Sequence, residues 1–115
     1  MHRQASALLV YDASGSLDKL TEALSQRLIQ TSRVRTCEEA SRRLQTADPP
    51  DVVFSETQLP DGLWSDVLRV AVDASAQTSV VVVARVPNMK LYIDVIEHGA
   101  FDFITHMTRT EREQI

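Results

Sequence analysis

The chain is poor in the residues that cross-link, capture metals or stack on cofactor rings. It has one cysteine, Cys37, and three histidines scattered without ligand spacing. That excludes an internal disulfide and leaves no zinc pattern; Cys37 reads as a small buried residue. Aromatic side chains make up 5% of the chain, too few to offer a good sandwich for a flat ring. Basic residues are the minority, twelve Lys or Arg against sixteen Asp or Glu for a formal charge of −4. The electrostatic footprint for gripping phosphate backbones is therefore missing, and no direct nucleic-acid contact is expected. Long hydrophobic runs are missing too. Ala7 to Tyr11 and Val80 to Ala84 fall far short of the roughly 20 residues that cross a bilayer, and the N-terminus has no signal-peptide pattern. A soluble, cytoplasmic chain with no membrane partner is expected.

What is present suits one core. A length of 115 residues with 43% apolar side chains fits a single domain over residues 1–115. The apolar run Ala7 to Tyr11 predicts a strand ending at Tyr11-Asp12. Ala13-Ser14-Gly15-Ser16 supplies turn and cap chemistry before a helical pattern of Leu17, Leu20, Leu24 and Leu28. Ser32 to Thr36, with Val34 among polar residues, reads as a short half-exposed edge strand. Thr36 and Glu39 form a capping box, after which Cys37, Ala40 and Leu44 share a helical face. Asp48-Pro49-Pro50-Asp51 stops that helix.

Val52 to Phe54 predicts a third strand leading into Ser55-Glu56 and the turn Leu59-Pro60-Asp61-Gly62. Leu63, Val67, Leu68 and Ala71 follow at helical spacing. The branched run Val80 to Val83 reads as a central strand buried on both faces. Asn88 can cap a helix whose Met89, Tyr92, Ile93 and Ile96 are expected to face inward, and Gly99 suits the left-handed position that ends helices. Phe101 to Ile104 predicts a fifth strand. Thr110 with Glu113 opens a last helix that the sequence barely starts, so the chain is expected to be a piece of a longer protein. Alternating strands and helices imply an α/β fold: a five-stranded parallel sheet, order 2-1-3-4-5, with helices on both faces. Sites in such sheets lie beyond the carboxyl ends of the strands.

Those ends carry Tyr11-Asp12, Glu56 with Pro60 four residues on, Ala84, and the run Gly99-Ala100-Phe101-Asp102-Phe103-Ile104-Thr105-His106. With the Pro50-Asp51 entry to the third strand and the Leu59-Pro60-Asp61-Gly62 loop, the chain resembles a response-regulator receiver domain over nearly its whole length. In that family two acids end the first strand and a phosphate-accepting Asp ends the third. A Thr or Ser ends the fourth, and Lys-Pro follows the fifth. The resemblance implies the flavodoxin-like fold and a role in two-component phosphorelay signalling, without enzymatic activity of its own.

Here Tyr11 replaces the first acid and Asp12 keeps the second. Glu56 stands for the acceptor Asp, Ala84 for the hydroxyl residue and His106-Met107 for Lys-Pro, while Phe103 holds the family's switch-aromatic position. Phosphoryl transfer to a carboxylate is largely positioning plus charge neutralisation. The extra methylene of glutamate displaces the nucleophile by about 1.5 Å on ordinary bond lengths, and misplacement near 1 Å can cost roughly a hundredfold in rate. A family-like magnesium site would draw on Asp12, Glu56 and the backbone carbonyl of Gln58, weakened by the loss of the acid at Tyr11. The two lysines, Lys19 and Lys90, fall on predicted helices away from the fifth strand. Without proline, the His106–Met107 bond is expected to be trans.

A degenerate receiver that is not phosphorylated and works through protein contacts is the leading expectation. Its partner is then an output domain of the same chain or a second copy, met through the fourth helix, fifth strand and fifth helix with Lys90, Asp94, Glu97 and Arg109 as rim residues. No cofactor is required on this reading. Glu56 reads either as a fixed mimic of the phosphorylated state or as a solvated remnant. Asp12 is a residual cation ligand or a plain acid, and His106 is a pH sensor or a loop residue. Arg85 either replaces the missing lysine's charge or sits on the surface, and Trp64 is a partner anchor or packs over the loop. Two alternatives stay open. One is weak phosphorylation, at Glu56 or at Ser55, Thr57 or Asp61. The other is a phosphate or flavin site at Ser14-Gly15-Ser16. A hydrolase is not indicated, because no Ser or Cys nucleophile stands beside a plausible His base.

Overall fold

A computed structural model of the chain describes residues 4–12, 17–74, 78–84 and 88–105. Strands β1 (Ser6–Val10), β2 (Gln30–Val34), β3 (Val52–Glu56), β6 (Ser79–Ala84) and β7 (Asp102–Thr105) form the main sheet. They are all parallel and run in the order β2-β1-β3-β6-β7, which is the predicted 2-1-3-4-5. Helices α1 (Asp18–Gln26), α2 (Cys37–Leu44), α3 (Trp64–Ala74) and α4 (Met89–Glu97) connect them. Between β3 and α3 the predicted turn is a small antiparallel hairpin, β4 (Gln58–Leu59) and β5 (Gly62–Leu63).

The apolar run of β1 is continuous because both faces of its strand are covered. Leu8 and Val10 join Val53, Val80 and Val82 under Ala40 and Leu44 of α2, Val67, Leu68 and Ala71 of α3 and Val95 of α4. Ala7, Leu9 and Tyr11 face the other way with Val83, against Leu17 and Leu24. This period-two division puts helices on both faces of a parallel sheet.

Several elements differ from the sequence reading. β1 runs Ser6–Val10 rather than 7–11, and β2 begins at Gln30 because its register opens at Ser6↔Gln30. Leu28 lies beyond α1, with φ 60° and 79% exposure, since the helix must release the chain into β2. Leu63 is exposed and belongs to the hairpin. β7 starts at Asp102, leaving Phe101 in solvent. Cys37 is only partly buried.

The largest correction is α4. The stripe Met89, Tyr92, Ile93 and Ile96 is exposed, whereas Val95 is fully buried and Leu91 packs against the core. The helix carries two apolar stripes, and periodicity reports that a face is apolar without saying which face meets the sheet. The exit decides it. Gly99 turns at φ 98°, the Ala100 amide donates to the Val95 carbonyl at 3.3 Å, and Ala100 drops into the core beside Val95. The Asn88 cap forms as predicted, its Oδ1 accepting the Leu91 amide at 3.1 Å.

Candidate functional site

The register brings the marked strand ends together. Val10 lies opposite Val34 and Ser55, Glu56 opposite Val83, and Ala84 opposite Thr105. Tyr11, Asp12, Glu56 and Ala84 therefore share one edge of the sheet, at the crevice where strand order reverses between β1 and β3.

Glu56 is not a solvated remnant. It is 8% exposed, and its Oε1 accepts the Asp12 amide at 3.2 Å. The longer arm thus folds across onto the end of β1. Ala84 is buried beside it and carries no hydroxyl. Ser55 is also buried, its hydroxyl donating to the Glu56 carbonyl at 2.9 Å, and so is turned away from the surface.

Tyr11, 4% exposed, buries its ring in the cluster on the α1 side of the sheet. The Arg33 guanidinium lies 4.4 Å from that ring's centroid, a cation–π distance. Asp12 stands at the surface with its Oδ1 3.4 Å from Arg35 Nη2. Sequence reasoning passed over both arginines. Their signal was their place two residues apart at the carboxyl end of the strand beside β1.

The loop beyond β3 is held by carboxylates. Asp61 Oδ1 accepts the Cys37 amide at 2.7 Å and Oδ2 the Glu38 amide at 3.0 Å. Thr36 Oγ1 accepts the Glu39 amide at 3.1 Å, so the first three amides of α2 all have acceptors. Helices otherwise leave these donors without intrahelical partners. The two amides, Cys37 first, hold the Asp61 carboxyl below its usual 3.8 against a smaller opposing effect of burial. Burial first, then the Asp61 carboxylate, pushes the Cys37 thiol up to about 11. Asp66 Oδ2 accepts the Leu63 amide at 2.9 Å, and the Trp64 amide donates to the Thr57 carbonyl at 3.2 Å. The hairpin after Glu56 is thereby pinned to both α2 and α3. Trp64 is 8% exposed and meets the His98 ring edge-on at 5.4 Å, so it packs and is not a free anchor. Phe103 is half buried, its ring 5.7 Å from that of Tyr92.

A receiver-like pocket implies magnesium, which prefers an octahedron of oxygens and dehydrates reluctantly. Of the expected donors, Asp12 faces Arg35, Glu56 Oε1 holds the Asp12 amide, and Gln58 sits exposed in the hairpin opposite Leu63. No cluster of three His, Cys, Asp or Glu side chains suited to a metal occurs among the described residues. Magnesium needs only one or two carboxylates beside its waters, and the two expected here are already engaged, Asp12 by a guanidinium and Glu56 by a backbone amide. His106 and its bond to Met107, Arg85, Arg109, Ser14-Gly15-Ser16 and the Thr110–Glu113 box lie outside the described residues. No helix among the described residues is long and apolar enough to cross a membrane.

No family model matches the chain. It is 30% identical over 105 residues to the response regulator protein PilR of Pseudomonas aeruginosa, an alignment covering 91% of this chain and 23% of PilR. The chain thus spans about a quarter of that curated relative. Among solved structures, it matches the signal receiver domain of a Vibrio parahaemolyticus protein assigned as a Luxo repressor. That match has a TM-score of 0.80 and 25% identity, covering 97% of this chain and 85% of that one. The phosphorylated cyanobacterial phytochrome response regulator RcpA matches with a TM-score of 0.81 at 20% identity, over 96% of this chain and 86% of that one. The chain is a flavodoxin-like receiver domain, of the kind found in two-component response regulators.

Proposed function

We propose that this receiver domain is not switched by phosphate and signals by docking to protein, either an output domain of its own chain or a second copy. The observation that carries the first half is Glu56: a buried carboxylate, drawn onto the Asp12 amide and flanked by Ala84. Attack on a phosphoryl donor needs that oxygen presented in line, with a hydroxyl and a cation to neutralise the transferring group. Asp61, the alternative acid in the loop after β3, has both oxygens committed to α2 amides.

The docking half is supported by the α4 stripe. Met89, Tyr92, Ile93 and Ile96 expose an apolar face that meets the sheet only where Tyr92 touches Phe103, with Lys90 and Glu97 exposed on the same helix. An apolar centre with a charged rim is the composition of an interface. The reading places the domain's output at the α4–β7 face, in the cytoplasm.

Incubation with a small phosphodonor and magnesium, followed by intact mass, tests the first half. The mass is expected to stay unchanged; a stable increment of one phosphate refutes it. Sedimentation velocity of the chain with and without its output domain tests the second.

A further inference from the structure

We infer that Arg35 supplies from within the chain the positive charge that the acidic pocket of a phosphorylatable receiver takes from a divalent cation, making this pocket independent of metal. The inference deepens the function proposed above and rests on it. Arg33 and Arg35 stand two positions apart at the carboxyl end of β2, and the pairing of Val34 with Val10 sets them beside Tyr11 and Asp12. Each has a partner there. Arg35 Nη2 lies 3.4 Å from Asp12 Oδ1, and Arg33 lies over the Tyr11 ring at 4.4 Å.

The charge balance follows from these positions. Among the described residues, Asp12 and Glu56 bring carboxylates to the pocket edge, and Arg35 sets a positive charge against Asp12 from its β2 side. A dication approaching Asp12 meets a carboxylate already facing the Arg35 guanidinium. Tyr11 offers no carboxylate to offset it, and its buried ring provides the face over which Arg33 lies. Guanidinium does not deprotonate in proteins, so this countercharge is permanent, whereas an ion's would follow its concentration.

Manganese(II), a paramagnetic stand-in for magnesium, gives the test on the isotopically labelled chain by amide line broadening. In the wild type the Asp12 and Glu56 amides are expected to broaden no more than that of the exposed Asp73. Arg35→Gln should create selective broadening at Asp12 and Glu56. Removing one positive charge at about 5 Å from a dication in water is worth about tenfold in affinity. Arg35→Lys, which keeps the charge, should behave as the wild type. Arg42→Gln, which removes a charge paired with Glu38 on α2, should also leave Asp12 unaffected. Selective broadening at Asp12 in the wild type overturns the inference. So does an Arg35→Gln variant indistinguishable from the wild type or from Arg42→Gln. The two readings fail separately: phosphate uptake counts against the function, and manganese at Asp12 in the wild type against the arginine.

Discussion

Replacing Asp61 by alanine removes both acceptors from the first two amides of α2, bonds of 2.7 and 3.0 Å, while Thr36 still serves the third. Loss of a helix cap costs about 0.5–2 kcal/mol. Because Asp61 is exposed, water takes over the freed amides, and a value of about 1 kcal/mol is expected. For a domain of this size that lowers the midpoint of thermal unfolding by about 4 °C. The urea midpoint should fall with an unchanged slope. Asp61→Asn separates charge from geometry, since it keeps one acceptor and removes the negative charge. Its signature is in the pH dependence. The folded Asp61 carboxyl lies below its ordinary 3.8, so its stabilisation is complete above that value and is lost as pH falls through the lower folded one. Wild type and Asp61→Asn should therefore differ most at neutral pH and converge in acid. A second readout comes from Cys37, whose thiol stands at about 11 through burial and then the Asp61 charge. Removing the charge lowers it and speeds reaction with a disulfide reagent near pH 8. An Asp61→Ala chain as stable as the wild type, with Cys37 no more reactive, would refute the clasp.

Three further outcomes are expected. Glu56→Asp shortens the arm by the extra methylene, yet Ala84 and Arg35 remain, so intact mass after phosphodonor treatment should still show no phosphate. Gly62→Ala places a Cβ 2.6 Å from Asp66 Oδ2 and 2.9 Å from Cys37 Sγ. Asp66 is tied to the Leu63 amide and to Arg69 and cannot give way freely, so urea denaturation should show a loss of about 1–3 kcal/mol. Ile93→Lys, at a position 48% exposed, should leave stability within about 0.5 kcal/mol while weakening association seen by sedimentation velocity.

Much of the fold is legible because its signals are local. Branched runs, the Thr36 and Asn88 caps and the positive φ of Gly99 each depend on near neighbours, and each stands as read. The α4 face is not legible, because choosing between two apolar stripes needs the position of the sheet. Asp61 reads from sequence as a turn residue, and its partners on α2 are 24 and 23 positions away. The pocket shows the same division. The identities at 11, 12, 56 and 84 are plain, whereas the burial of Glu56 and the placing of Arg33 and Arg35 exist only once β1, β2 and β3 are side by side.

On the function proposed above, the departures at the pocket act together, and reverting one alone is not expected to give phosphate uptake. An acid at position 11 would take a carboxylate into a site 4% exposed and lined by Leu9, Leu17 and Val83, a costly burial without a cation to pair it. Tyrosine fills the same space with a ring that Arg33 can cover. Arg35 in turn faces the Asp12 carboxylate, while the Asp12 amide donates to Glu56 Oε1. The glutamate arm extends from the end of β3 to that amide at 3.2 Å, so Tyr11, Arg35 and Glu56 belong to one arrangement. A single reversion leaves one charge or one cavity uncompensated. Neutralising Arg35 opens the cation site alone, whereas an in-line acceptor and its hydroxyl partner further require Asp at 56 and a hydroxyl at 84, so phosphate uptake is expected only when these changes are combined.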